Sequence, residues 1–272
     1  MKQVKKLLTV LAALSLLFIG LGLTSKVKAD YSAATSAQVK AIQKAGVLKV
    51  GVKQDVPNFG YYNADTDAYE GMEIDIAKKL AKALGVKVEF TAVTAQTREA
   101  LIDNGQLDII IATYTITDER KENYSFSNPY YTDEVGFLVN KSSKISSISD
   151  LNGLTIGVAQ GSTTKSSIEE YASAHNLTFN YVQLGSYPEL AISLYAKRIA
   201  AFSVDKSILS GYVSNKTEIL SEGFNTQEYG IATKKSNTEL TAYINDLLAE
   251  WKSDGSLEKI YDKYDLTPAT AE

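Results

Sequence analysis

Two kinds of apolar spacing alternate along the chain. Val47–Val52 (VLKVGV) and Val86–Val93 are β-rich runs. Between them Ile74, Ile76, Leu80 and Leu84 recur at helical spacing, behind Gly71 and ahead of Gly85, which predicts a helix over Met72–Leu84. A short helix from Ser36, ended by Gly46, precedes this group, and Thr97–Asn104, closed by Gly105, reads as another. Asp108–Ala112 (DIIIA) is nearly all apolar, as a strand covered on both faces should be. The same order returns downstream. Leu154–Ala159 is a strand, Gly161-Ser162-Thr163 leads into a helix ending near Ala174, and Leu177–Leu184 is the next strand. Tyr187–Ala196 is a helix with Pro188 in its first turn, where proline is tolerated. Ala200–Val204 is a strand and Asp205–Val213 a helix. Both halves thus run strand, helix, strand, helix, strand, which predicts a repeated α/β unit built on mainly parallel sheets flanked by helices.

Two such lobes need a connection. Val135–Asn140 (VGFLVN) and Tyr229–Thr233 (YGIAT) are apolar runs suited to a double crossover, with a hinge near Phe137 and Ile231. Two helices, Thr238–Lys252 and Ser256–Tyr264, close the chain. The first lobe then holds residues 30–136 and 231–272, and the second 137–230. One continuous sheet is the alternative. In either arrangement ligands belong at the carboxyl ends of the parallel strands, here a cleft between lobes.

Composition narrows the setting. Lys2, Lys5 and Lys6 precede an apolar run from Leu7 to Leu23, and Val27-Lys28-Ala29 resembles a cleavage site, so residues 1–29 read as a signal peptide. An uncleaved membrane anchor is the competing reading. The chain contains no cysteine, which removes disulfides, thiolate metal sites, cysteine nucleophiles and a lipid anchor at the cleavage site. No cofactor or metal is expected. Residues 31–272 with Asp30 carry 23 Lys+Arg against 32 Asp+Glu, a net charge of −9 and the wrong sign for a nucleic-acid binder.

The predicted strand ends carry a definite chemistry. Lys53 follows the first strand, Arg98 opens the helix after the second, and Thr113, Thr115 and Arg120 follow the third. The second half supplies Gly161–Thr164, Tyr187 and Asp205. Three cations, several hydroxyls and one acid suit a zwitterion. An Arg fork grips a carboxylate, Asp205 pairs with an ammonium, and backbone N–H groups after Gly161 form an anion site. Each residue also has a bland reading. Arg120 sits in a charged turn, Arg98 can pair with Glu99, Lys53 is a loop lysine, Asp205 and Thr164 can cap helices, and Tyr187 can simply pack. His175 receives no role.

Gly71-Met72-Glu73-Ile74-Asp75-Ile76, Leu101–Ala112 (LIDNGQLDIIIA), Thr115–Arg120 (TITDER) and Phe126-Ser127-Asn128-Pro129-Tyr130-Tyr131 are similar to the signature segments of family 3 periplasmic solute-binding proteins for polar amino acids. Asp150-Leu151-Asn152-Gly153 and Ala201–Lys206 (AFSVDK) extend the likeness, and Lys53–Pro57 with Thr97-Arg98 resembles the aspartate/glutamate-binding branch. The resemblance implies a type II two-lobe fold without enzymatic activity. It implies a monomer, exported to the periplasm or the outer face of the membrane, that hands a free amino acid to the permease subunits of an ABC importer. Arg120 would grip the α-carboxylate, aided by main-chain N–H groups at Thr115 and Thr164. Asp205 would take the ammonium with oxygens of Thr113 and Thr115, and Lys53 and Arg98 would face the ligand side chain. Met72 replaces the usual Phe, a change that methionine's adaptability makes small.

Three cations against one acid favour glutamate or aspartate, with glutamine as the alternative. A nearby acid such as Asp55 or Glu70 would neutralise Lys53 and reverse that order. A dehydratase acting on a cyclic acid is a remote alternative, needing a general acid in the cleft. An adhesin role would have no partner named by the sequence.

Overall fold

The computed structural model describes residues 36–270. The elements in order are α1 (Ala37–Ala45), β1 (Val47–Val52), β2 (Asp55–Val56), β3 (Gly60–Asn63), β4 (Ala68–Glu70), α2 (Met72–Leu84), β5 (Lys87–Ala92), α3 (Arg98–Asp103), β6 (Ile109–Ile110), α4 (Asp118–Asn123), β7 (Tyr124–Phe126) and β8 (Tyr131–Asn140). There follow β9 (Thr155–Ala159), α5 (Thr164–His175), β10 (Asn180–Leu184), α6 (Tyr187–Tyr195), β11 (Ala201–Asp205), α7 (Lys206–Ser210), β12 (Thr217–Ile219), β13 (Phe224–Tyr229), β14 (Ala232–Lys234), α8 (Thr238–Ser253) and α9 (Ser256–Lys263).

The strands form two principal sheets. The first runs β5-β1-β6-β14-β7 and the second β10-β9-β11-β8-β12, with β13 also on β8. In each sheet the three parallel strands stand in the order second, first, third: β5-β1-β6 and β10-β9-β11. The repeated strand–helix pattern therefore folds twice into the same parallel unit. Each unit has its own core. Ile102, Leu107, Ile110 and Tyr114 cluster in the first lobe. Phe137, Ile148, Leu151, Ile156, Val158 and Ile168 cluster in the second. The last two helices pack on β14, α1 and α2 of the first lobe, and Ala269 N–H then donates to Thr132 O of β8 at 2.8 Å.

Local chemistry sets the helix ends that matter for the site. Ser186 and Glu189 form a reciprocal capping box at the start of α6, with a proline in the first turn. Gly71 precedes α2 at φ 128°, and a Cβ there would meet the Phe59 carbonyl oxygen at 2.1 Å. Only glycine lets α2 begin so close to the turn between β2 and β3.

The chain passes between sheets twice. It leaves β7 at Phe126 and joins β8 at Tyr131, and it leaves β13 at Tyr229 and joins β14 at Ala232. The two passages lie side by side. Ser127 N–H donates to Ile231 O at 2.8 Å, Ile231 N–H to Ser127 Oγ at 2.9 Å, and Tyr130 N–H to Tyr229 O at 2.9 Å. The expected Leu177–Leu184 strand begins at Asn180, and both crossover strands differ from expectation. The first crossover strand starts at Tyr131 rather than Val135, because β13 pairs with β8 from Tyr131 onward, so Phe137 lies well inside the second sheet. Tyr229–Thr233 is two strands, not one, because Gly230 and Ile231 bond to Tyr114 O and Ser127 instead of either sheet. The expected helix over Asp205–Val213 is confined to Lys206–Ser210, with Asp205 closing β11. Residues 1–29, read as a leader, lie outside the described residues. Among the described residues no helix is long and apolar enough to cross a membrane.

Candidate functional site

Arg98, Thr113, Thr115, Thr164, Tyr187 and Asp205 converge on one cavity between the sheets, with Ser162 and Thr163 beside them. Its volume is about 10 Å³, room for about one water molecule. Lys53 meets the set through Tyr187, its Nζ lying 4.6 Å from the ring centroid. Arg120 lines an adjoining groove of about 500 Å³ together with Glu99 and Gly161–Thr163. All eight predicted residues thus gather at facing strand ends, with Arg120 and Lys53 at the flanks.

The lobes touch across this cleft. Arg120 Nη2 donates to Gly161 O at 3.2 Å, and Tyr212 Oη donates to Asp55 O. Gly161 has φ 78°, and a Cβ there would lie 2.8 Å from Ala95 O and 2.9 Å from Gln96 Cα on the opposite lobe. Gly161→Ala is therefore expected to act twice. Left-handed strain of about 1–2 kcal/mol lowers the melting temperature, and the clash across the cleft weakens ligand binding by about tenfold, roughly 1.4 kcal/mol. Calorimetric titration and a melting curve separate the two effects. Unchanged affinity would show that the lobes do not meet there in the complex.

Both arginines lie over the Tyr114 ring, Arg98 at 4.0 Å and Arg120 at 4.5 Å from its centroid. Arg120 Nη1 donates to Thr115 O at 2.8 Å, and its Nε is 3.8 Å from Glu99 Oε1. Burial, then the neighbouring Arg98, lowers the Arg120 pKa to about 10, so the fork stays charged at neutral pH. Arg98 Nη1 donates to Ala112 O at 2.9 Å, while its Nε has no hydrogen-bond partner. Tyr114 is held in turn by Glu99, to which its hydroxyl donates at 2.7 Å.

A buried acid stands behind these cations. Glu73 Oε1 accepts from Thr113 N–H at 2.6 Å and from Tyr130 Oη at 2.5 Å, leaving Oε2 without a partner. Burial raises the Glu73 pKa to about 7 against the pull of those hydrogen bonds, Lys53 and Arg98. The Glu73 bond pins Thr113 at φ 44°, a left-handed conformation that a β-branched residue adopts only when its surroundings impose it. Lys53 Nζ lies 3.1 Å from Asp55 Oδ1, an ion pair by distance without hydrogen-bond geometry. Five buried side-chain atoms among the described residues lack a hydrogen-bond partner. Four of them are Asp55 Oδ1, Glu73 Oε2, Arg98 Nε and Thr113 Oγ1, all in this group. Such atoms in a native interior call for an explanation, and a bound polar group supplies one.

At the other end Asp205 Oδ2 accepts from Tyr229 Oη, which also lies 3.4 Å from Asp133 Oδ2. Burial, then the charge of Asp133, raises the Asp205 pKa to about 7. Asp133, itself buried, is raised to about 6.

This corrects the charge balance behind the expected acidic ligand. Asp55 does neutralise Lys53, whereas Glu70 is exposed and bonds Asn63 and Thr66 instead. Glu73 adds a second acid beside Lys53 and Arg98. Sequence reasoning also missed Tyr114, Asp133 and Tyr229. Glu73 left a trace, since it sits with Ala77, Leu80 and Leu84 on the apolar stripe of α2, where a charge needs a reason.

The profile of the bacterial extracellular solute-binding proteins, family 3, matches residues 48–267. The chain is similar to the ABC transporter glutamine-binding protein GlnH of Bacillus subtilis (strain 168), at 36% identity over 82% of this chain and 83% of that protein. It is similar to a glutamine-binding protein of Geobacillus stearothermophilus, at 37% identity over 76% of this chain and 80% of the relative. Among solved structures, an ancestral arginine-binding protein bound to glutamine superposes with a TM-score of 0.74 at 34% identity, covering 80% of this chain and 97% of that one. On the profile match, the shared fold and these identities, the chain belongs to the bacterial extracellular solute-binding proteins, family 3.

Proposed function

We propose that the protein captures L-glutamine between its lobes and presents it to the membrane permease of an ABC importer. The observation that carries the side-chain choice is the pairing of Lys53 and Arg98 with Asp55 and Glu73. At the side-chain end of the cleft Lys53 and Arg98 face Asp55 and Glu73, two cations and two acids. A ligand with a neutral side chain keeps that balance. A dicarboxylate adds one buried negative charge, which costs several kcal/mol without a partner. Hydrogen-bond chemistry points the same way. The unpartnered atoms include a donor, Arg98 Nε, and two acceptors, Glu73 Oε2 and Asp55 Oδ1. A carboxamide both accepts and donates, whereas a carboxylate only accepts. The names of the two relatives above agree with this choice.

In this reading Arg120 holds the α-carboxylate, with main-chain N–H groups of Thr115 and Thr164. Asp205 and the oxygens of Thr113 and Thr115 hold the ammonium, and Tyr187 walls the cleft beside Lys53. The cavity is far smaller than an amino acid, so entry requires the lobes to part about the passages at Ser127–Tyr130 and Gly230–Ile231. Contacts made by both lobes then favour the closed form.

A thermal-shift panel of the free amino acids tests the assignment. Glutamine is expected to raise the melting temperature most, as any ligand specific to the folded state does, and small-angle scattering of the same sample should report a compact particle at saturation. A larger shift with glutamate or aspartate, or no shift with any amino acid, would overturn it.

A further inference from the structure

Asp133 has no part in the expected site, yet it is buried and shares Tyr229 with Asp205. Asp205 ends β11 and Asp133 lies near the start of β8, the neighbouring antiparallel strand. One phenolic hydroxyl serves both carboxyls: it donates to Asp205 Oδ2 and lies 3.4 Å from Asp133 Oδ2. Asp133 otherwise accepts Glu134 N–H at 2.8 Å and Ser207 N–H at 3.1 Å, with the Ser207 hydroxyl beside it. Among the described residues neither carboxyl has a salt bridge to a cation.

We infer that Asp133 and Asp205 act as a carboxyl pair that shares one proton before ligand binds and releases it to solvent when the ammonium of an amino acid binds beside Asp205. The inference rests on the ammonium role given to Asp205 above, but not on which side chain the ligand carries. Two buried carboxylates served by one hydroxyl resist double ionisation. An incoming ammonium supplies the missing positive charge, so the pair ionises fully and the proton leaves. The ligand keeps its own three ammonium protons, and the proton lost comes from the pair alone.

The surrounding groups fit this role. Facing Asp205 are Arg120 of α4 and Arg98 of α3, which favour its ionised form, and Tyr229 of β13 and Tyr187 of α6, which are neutral near pH 7. Facing Asp133 are Tyr131 of its own strand, Tyr229, and the backbone and hydroxyl of Ser207 in α7. Both arginines are also committed to main-chain carbonyls. Burial together with mutual repulsion raises Asp205 to about 7 and burial raises Asp133 to about 6, which sets the pH range of the effect.

Titrating L-glutamine into the protein at pH 6.5, in buffers of different ionisation enthalpy, measures the proton directly. The slope of observed enthalpy against buffer enthalpy should give release of about half a proton or more, falling toward zero at pH 8.5. Affinity should weaken toward tenfold per pH unit on the acid side. Asp133→Asn keeps an acceptor for Ser207 N–H but removes the second charge, and should move the release at least one pH unit lower. A wild-type slope of zero at pH 6.5 overturns the inference, with no variant needed. Release unchanged in a folded Asp133→Asn protein overturns it as well, by placing the proton elsewhere, for instance on Glu73. If glutamine gives no heat, the glutamine reading fails alone; L-arginine and L-glutamate then serve as probes, since each carries the same ammonium.

Discussion

Arg120→Ala is expected to weaken binding of every amino acid by about two to four decades. All amino acids share the α-carboxylate, and in the proposed complex Arg120 is its principal cation. Leaving one partner of a buried ion pair alone costs about 3–5 kcal/mol, which at about 1.4 kcal/mol per decade gives that range. The fold should survive, because Arg120 closes no core: it reaches Thr115 O, Gly161 O and the Tyr114 face from the rim of the cleft. Arg120→Lys restores a charge but not the two-pronged donor, and should recover only part of the loss. Calorimetry with glutamine, alongside a melting curve to confirm folding, reads the result. Affinity within a few-fold of wild type would remove Arg120 from the carboxylate role.

Asp205→Asn should move affinity and stability in opposite directions. Asparagine keeps an acceptor for Tyr229 Oη but loses the charge that holds the ammonium, so binding should weaken by roughly 2–5 kcal/mol, the range for breaking a buried charged pair. Stability without added amino acid should rise at pH 8. Asp205 is raised to about 7 when folded, far above its ordinary value of 3.8. Between about pH 4 and 7 the folded chain therefore holds a proton that the unfolded chain has lost, and stability falls as pH rises through that window. Asp133, at about 6, and Glu73, at about 7, add in the same direction. Removing Asp205 removes its own penalty and relieves Asp133. Melting curves from pH 5 to 8 should slope down for the wild type and more gently for the variant. A variant that melts lower than wild type at pH 8 would contradict this account of the pair.

The double α/β unit was legible because its signal is redundant. Helical spacing in Met72–Leu84 and the apolar runs around Val50 and Ile156 each report burial on a known face. The small sheet of β2, β3 and β4 was not legible. Asp55–Glu70 is mostly polar and turn-forming, and what holds its strands together includes a cross-strand ring contact between Tyr62 and Tyr69, invisible to periodicity. β6 is only two residues long inside the expected Asp108–Ala112 run, since pairing on both sides is brief. At the site, the rule that ligands sit at carboxyl ends of parallel strands pointed to eight residues that lie around the facing strand ends, but not to Tyr114, Glu73, Asp133 or Tyr229 among them. What it did not supply was their charge balance. Lys53 and Asp55 are two residues apart, but their pairing depends on the turn after β1. Glu73 comes to stand behind Lys53 and Arg98 because Gly71 lets α2 start against Phe59. Asp133 meets Asp205 through strand register. Net charge within a buried site is a property of packing, so a count of cations along the chain overstated the positive field.

Charge balance at the side-chain end of the cleft is the central claim, and a paired calorimetric titration of glutamine and glutamate at pH 7.5 tests it most directly. The two ligands differ by one amide against one carboxylate and share everything that Arg120 and Asp205 recognise. The account predicts tighter binding of glutamine by at least about tenfold, since one added buried charge costs more than about 1.4 kcal/mol. Glutamate binding as tightly as glutamine, or more so, would mean that Asp55 and Glu73 do not offset Lys53 and Arg98, and would contradict it.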